Sequence, residues 1–283
     1  MKNRFFNPLW VFVCGMMLSV ASCEKMVISQ DVSGSSLSAV TRTNAGDYNR
    51  LNFVVFDENG ERVDQKNQEV GDDDFGEANF TLPVGTYRLA LVAHSAKGNP
   101  SVNKRTYDAN GEVKKNESIS FANDKGFTDT FFDSQLVEVG EEAVTVPFDL
   151  KRIVSMVRFL PTDVIPEHTD SIRIYYEGGS GSIDVVTTYG NVHSKQTMWF
   201  AKEEPLEIYT IPWQDNDYLK VTIGAYHGTD LLTTTEIENI PIRRNAITTC
   251  RGNLFDGKVT NVSFSFMIET TWGEPIDYVI PGK

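Results

Sequence analysis

The sequence predicts an all-β protein: two β-sandwiches in tandem behind a flexible N-terminal tether. Three observations carry this expectation. From Leu51 onward, apolar residues recur with period two rather than 3.6, the period of a strand with one buried face. No window of ten or more residues shows a convincing amphipathic helical stripe. Turn clusters of Gly, Pro, Asn and Asp separate the short alternating runs as far as the end of the 283-residue chain. That length suits two sandwiches of about 100 to 130 residues better than one.

The first 22 residues have the three parts of a secretory signal. Lys2 and Arg4 give a basic start, Leu9 to Leu18 an apolar core, and Ser19-Val20-Ala21-Ser22 small residues leading into Cys23. A ten-residue apolar run is too short for a membrane span, which needs about 20 residues. Small residues followed directly by cysteine resemble a bacterial lipobox. The resemblance implies cleavage before Cys23, diacylation of its thiol and acylation of the new amine. One acyl chain holds a protein to a bilayer only marginally, whereas several together anchor it firmly. Glu24, rather than Asp, follows the cysteine and tilts the expected location to the outer membrane.

Residues 23–49 read as the lipidated tether. The stretch is rich in Ser, Thr, Gly and Asn, and its Val and Leu fall without period. A flexible chain of this length reaches about 30 Å. The N-terminal sandwich is expected over residues 50–150. Leu51–Phe56 is its first predicted strand, and Asp57-Glu-Asn-Gly60 a turn in which glycine can take positive φ. Pro83 and Gly85 set a tight turn before a strand whose Tyr87, Leu89, Leu91 and Ala93 share one face. Ala143–Leu150 is a further strand, and Pro147 places it at an edge or a bulge.

At Leu150-Lys151-Arg152 the pattern restarts, so the C-terminal sandwich is expected over residues 151–283. Apolar residues on both sides of Ile153–Leu160 predict a strand covered on both faces. Further strands follow at Ser171–Glu177, Leu206–Ile211, Tyr218–Tyr226, Asn245–Leu254 and Val259–Ile268. The tail alternates again at Ile276, Tyr278 and Ile280, either as a strand of its own sandwich or as a segment offered to a neighbour.

Without residues 1–22 the chain keeps 261 residues, with 24 basic against 39 acidic, a balance of −15. That excess argues against binding nucleic acid or anionic headgroups. Cys14 leaves with the signal and Cys23 goes to lipid, so Cys250 has no partner for an intrachain disulfide and reads as a small buried hydrophobe. His94, His168, His193 and His227 match no metal-ligand spacing. Neither a phosphate-binding loop nor a nucleophile elbow is present. The expectation is a protein without catalysis and without a cofactor.

Three stretches, taken in order with the lipobox, resemble a known family. They are Phe53-Val-Val-Phe-Asp-Glu-Asn-Gly60, then Leu82-Pro-Val-Gly-Thr-Tyr-Arg-Leu-Ala-Leu91, and finally Leu150–Phe159 together with Ile242–Leu254. The chain is similar to the fimbrillin superfamily, specifically its FimB-like anchor and minor-subunit lipoproteins of type V pili. The resemblance implies two transthyretin-like sandwiches, other fimbrial subunits as partners, and assembly by strand donation, in which a strand from one subunit completes the sheet of another. In stalk subunits of that family, a protease cuts after an arginine near the first strand. Arg42 and Arg50 sit at suitable places here, and an anchor that keeps its lipid would be cut at neither.

The competing reading is a surface lipoprotein adhesin that binds a glycan or a host protein. Sugar rings stack on flat aromatic faces, and Trp199, Trp213 and Trp272 are the candidate residues.

Overall fold

The structure is a computed structural model, and the residues it describes are 35–41, 48–102, 106–107, 113–114, 117–121, 127–256, 265–269 and 275–279. Every regular element among them is a strand. The first sandwich holds β1 (Ser35–Thr41), β2 (Arg50–Phe56), β3 (Arg62–Glu69), β4 (Glu77–Leu82) and β5 (Gly85–His94), then the short β6 (Ser101–Val102), β7 (Thr106–Tyr107), β8 (Val113–Lys114) and β9 (Ser118–Ser120), and finally β10 (Thr130–Val139), β11 (Val144–Phe148) and β12 (Lys151–Arg152). One sheet has the order β11-β1-β4 and the facing sheet β12-β10-β5-β2-β3. Between them lie Leu37, Leu51, Phe53, Phe80, Leu89, Leu91 and Phe148, all at most 1% exposed.

The second sandwich holds β13 (Ser155–Pro161), β14 (Ser171–Ser180), β15 (Ser182–Asp184), β16 (His193–Ala201), β17 (Leu206–Thr210), β18 (Asp217–His227), β19 (Asp230–Ile242), β20 (Ala246–Gly252), β21 (Ser265–Glu269) and β22 (Pro275–Val279). Its sheets run β17-β13-β20-β21-β22 and β16-β14-β18-β19. Val157, Ile172, Ile174, Tyr176, Val221 and Ile223 fill the space between them. The Tyr176 hydroxyl, buried with its ring, donates to Gln196 Oε1 at 2.8 Å and lies 3.0 Å from the Tyr209 carbonyl.

The two sandwiches repeat one seven-strand topology. β1 lies between β4, antiparallel, and β11, parallel; β13 lies in the same way between β17 and β20. The order β3-β2-β5-β10 in one facing sheet matches β16-β14-β18-β19 in the other, antiparallel throughout. No sequence motif announced this, because the repeat resides in pairing order rather than in residue identity.

One element departs from the sequence reading. Ser35–Thr41 lies inside the stretch read as tether, yet it is the central strand of its sheet, with Leu37 and Ala39 fully buried. Among Ser and Thr the strand carries only Leu37, the small Ala39 and, out of step with them, Val40, so the alternation is faint. The sandwich therefore begins ahead of residue 50.

A third apolar cluster joins the sandwiches. The outward face of β2, β5 and β10 supplies Val54, Phe56, Ala90, Val92 and Phe132. Ile119, Phe121 and Phe127 from the segment between β5 and β10 cover it, with Ile183, Val185 and Ile211 of the second sandwich. β15 pairs with β9 across this junction. Arg152 clamps its rim: the guanidinium makes two bonds to the Asp129 carboxylate at 2.7 and 2.8 Å and one to Asn245 Oδ1 at 3.2 Å.

Candidate assembly surfaces

Exposed sheet edges carry unpaired N–H and C=O groups, and these are where a sandwich can take or give a strand. In the first sandwich, the slot between β4 and β11 is filled by β1 over Ser35↔Leu82 to Val40↔Glu77 on one side and Leu37↔Val144 to Thr41↔Phe148 on the other. The free side of β11 is obstructed. Pro147 has no N–H to offer, and its carbonyl accepts from Gln135 Nε2. The Asp149 N–H donates to Asp133 Oδ2 at 3.0 Å. The placement of proline on an edge strand is the one the sequence suggested. In the second sandwich the equivalent side of β20 is occupied by β21, which in turn pairs with β22. The tail strand is thus paired within its own sheet.

Arg50 is the first residue of β2 and is laddered on both sides, opposite Glu69 in β3 and His94 in β5. Its guanidinium pairs with the Glu69 carboxylate. Arg42 directly follows β1 and, like Cys23 and Trp272, lies outside the described residues. Beside Arg50, His94 is wholly buried. Its Nδ1 accepts from the Ala96 N–H at 3.1 Å, which leaves Nε2 to donate to Asn52 Oδ1 at 2.7 Å. Burial and, after it, the positive charge of Arg50 hold this imidazole neutral and push its pKa down to about 4.

The tryptophans separate clearly. Trp213 is half-buried; His193 stacks on one of its faces with centroids 4.0 Å apart, and its indole N–H donates to the Gly179 carbonyl at 3.2 Å. Trp199, on β16, is 54% exposed. Tyr226 of β18 meets it edge to face at 5.0 Å, and Arg173 of β14 donates to the Tyr226 hydroxyl at 3.3 Å. Sequence reasoning flagged Trp199 but missed Arg173 and Tyr226, because only the cross-strand register brings the three together. Cys250 is fully buried on β20, and desolvation pushes its thiol pKa far up. Among the described residues no three His, Cys, Asp or Glu side chains gather as a metal site would require.

The fold is a tandem pair of β-sandwiches with outer strands at the sheet edges, and its class is that of the fimbrial proteins. The family follows from its sequence model: the model of the fimbrillin-A associated anchor proteins Mfa1 and Mfa2 matches residues 23–278, and the chain belongs to that family. Among curated proteins nothing matches. Among solved structures, a candidate polysaccharide-binding protein of Bacteroides thetaiotaomicron is 11% identical, covers 90% of this chain and 98% of its own, and superposes with a TM-score of 0.53. A candidate adhesin of Bacteroides ovatus (10% identical, 91% and 96% covered, TM-score 0.49) and a fimbrial assembly protein of Parabacteroides distasonis (14%, 87% and 99%, 0.47) are also similar. The first of these likenesses bears on fold alone.

Proposed function

We propose that this chain is a lipid-anchored subunit of a cell-surface fimbria, fixed to the outer membrane through an acylated Cys23 and joined to other subunits by backbone pairing between sheet edges. Membership of the anchor family supports the fimbrial role. The observation that carries the anchor reading is β1 itself. The resemblance implies that a stalk subunit cut after an arginine loses such a strand; a cut after Arg42 here would take Leu37 and Ala39 out of the core and open the slot between β4 and β11, so the anchor reading requires β1 to stay attached. Keeping β1 also keeps everything ahead of it, Cys23 included. Arg50 is a poor protease site, because a protease needs an extended loop and this residue is held in a ladder from both sides. Strand exchange then belongs to the second sandwich, where β22 is the outermost strand of its sheet.

The test is mass spectrometry of the chain recovered from native fimbriae. The expected N-terminal peptide begins at an acylated Cys23 and runs through Arg42 uncut. A chain beginning at residue 43, or one without lipid, overturns the anchor role.

A further inference from the structure

The internal repeat shows what covers a particular face. In the first sandwich, the outward side of β10-β5-β2 is apolar and is buried under the segment from β5 to β10 and under Val185 and Ile211 of the next sandwich. The twin of that face is the outward side of β16-β14-β18-β19. Among the described residues no element covers it. At one end of it, beside the β18–β19 turn, lies a cluster of Trp199, Tyr226, Leu231, Arg173 and Tyr175. Trp199 and Leu231 are 54% and 51% exposed. Leu231 and Tyr226 close over Gly224, where an added Cβ would come within 3.0 Å of both. The Arg173 guanidinium bridges the Tyr226 hydroxyl, at 3.3 Å, and the Tyr175 ring, at 5.8 Å. Along the same strands the cluster gives way to a charged border, with Lys195 paired to Glu177 at 3.3 Å and Lys220 to Glu236 at 2.7 Å.

An aromatic and arginine patch bordered by charge has the make-up of a protein interface core, in which Trp, Tyr and Arg carry most of the energy. The cluster crosses four strands, about 14 Å at the usual inter-strand spacing, which is broader than a single sugar ring. The edge-to-face arrangement of Trp199 and Tyr226 also gives no pair of coplanar shelves for a glycan.

We propose that this face docks the next β-sandwich subunit of the fimbria, whose loops cover it as Val185 and Ile211 cover the twin face of the first sandwich. This rests on the fimbrial reading above. The partner surface presents apolar loop residues to Trp199 and Leu231 and an acceptor, a carboxylate or a free carbonyl, to Arg173.

A photoreactive phenylalanine analogue in place of Leu231 tests it in the full-length chain, with Val70 as the control: that residue is 59% exposed in the turn after β3. After irradiation of native fimbriae, position 231 is expected to give an adduct with a subunit identified by mass spectrometry as a β-sandwich fimbrial protein, and position 70 none. Trp199→Ala combined with Tyr226→Ala should lower that yield at least tenfold with the melting temperature unchanged. If the chain co-purifies with fimbriae but position 231 yields no more than position 70, the face is not an interface. An adduct with carbohydrate alone overturns the proposal in favour of glycan binding. A chain absent from fimbriae overturns both this proposal and the fimbrial role beneath it.

Discussion

Leu37→Ala is the perturbation that separates a structural β1 from a mere tether. Leu37 is fully buried opposite Phe80 on one side and Val144 on the other. Truncation removes three carbons from that core, about 2.4 kcal/mol of transfer free energy, and the cavity left behind brings the total to about 3 kcal/mol. With a urea m-value of about 2 kcal/mol/M for a unit of this size, the unfolding midpoint of the first sandwich should fall by ~1.5 M. Val63→Ala on the exposed strand β3 serves as the control and should cost under ~0.5 kcal/mol. Fluorescence- and circular-dichroism-monitored urea titrations of the mature chain read both. A Leu37→Ala midpoint indistinguishable from that of the control would show that residues 35–41 do not complete the sheet, and the argument for a filled slot would fail with it.

Other outcomes follow from the same geometry. His94 is neutral in the fold with a pKa of about 4, against the ordinary value near 6.5, so the unfolded chain takes up the proton first as pH falls. Its contribution is therefore full above pH ~6.5 and declines toward pH 4, by about 3 kcal/mol in all; His94→Gln should flatten that part of a stability-versus-pH curve. Arg152→Met leaves the part-buried Asp129 carboxylate without its guanidinium, and should lower the stability of the junction by about 2 kcal/mol, read as a shift in thermal midpoint. Cys250 should stay unreactive toward a thiol reagent at pH 8 until the second sandwich unfolds, so that labelling and loss of circular dichroism coincide in urea.

What the sequence made legible follows burial. β2, β5, β14, β18 and β20 sit inside their sheets, so their alternation is strong and the residues expected to face inward on β5, Tyr87 to Ala93, do so. β3 was invisible because it is an outer strand: Arg62–Glu69 is polar but for the exposed Val63, and only Gln68 is buried. β19 hid for a related reason, since Thr233, Thr234 and Thr235 carry no hydrophobic rhythm. Trp199 and Trp213 look alike in sequence. Their difference depends on a stacking histidine and a glycine carbonyl contributed by distant strands, which local pattern cannot reveal.

The obstruction along β11 has a bearing on crowding. Molecules held by their ends on one bilayer meet at concentrations far above those in solution, and bare strands at such densities tend to zip together sideways into sheets that never dissolve. A proline without its hydrogen, a glutamine occupying the oxygen and an aspartate holding the next amide leave a neighbouring copy little to grip on that flank. If the chain is held on a bilayer as proposed above, that flank would resist such sideways zipping.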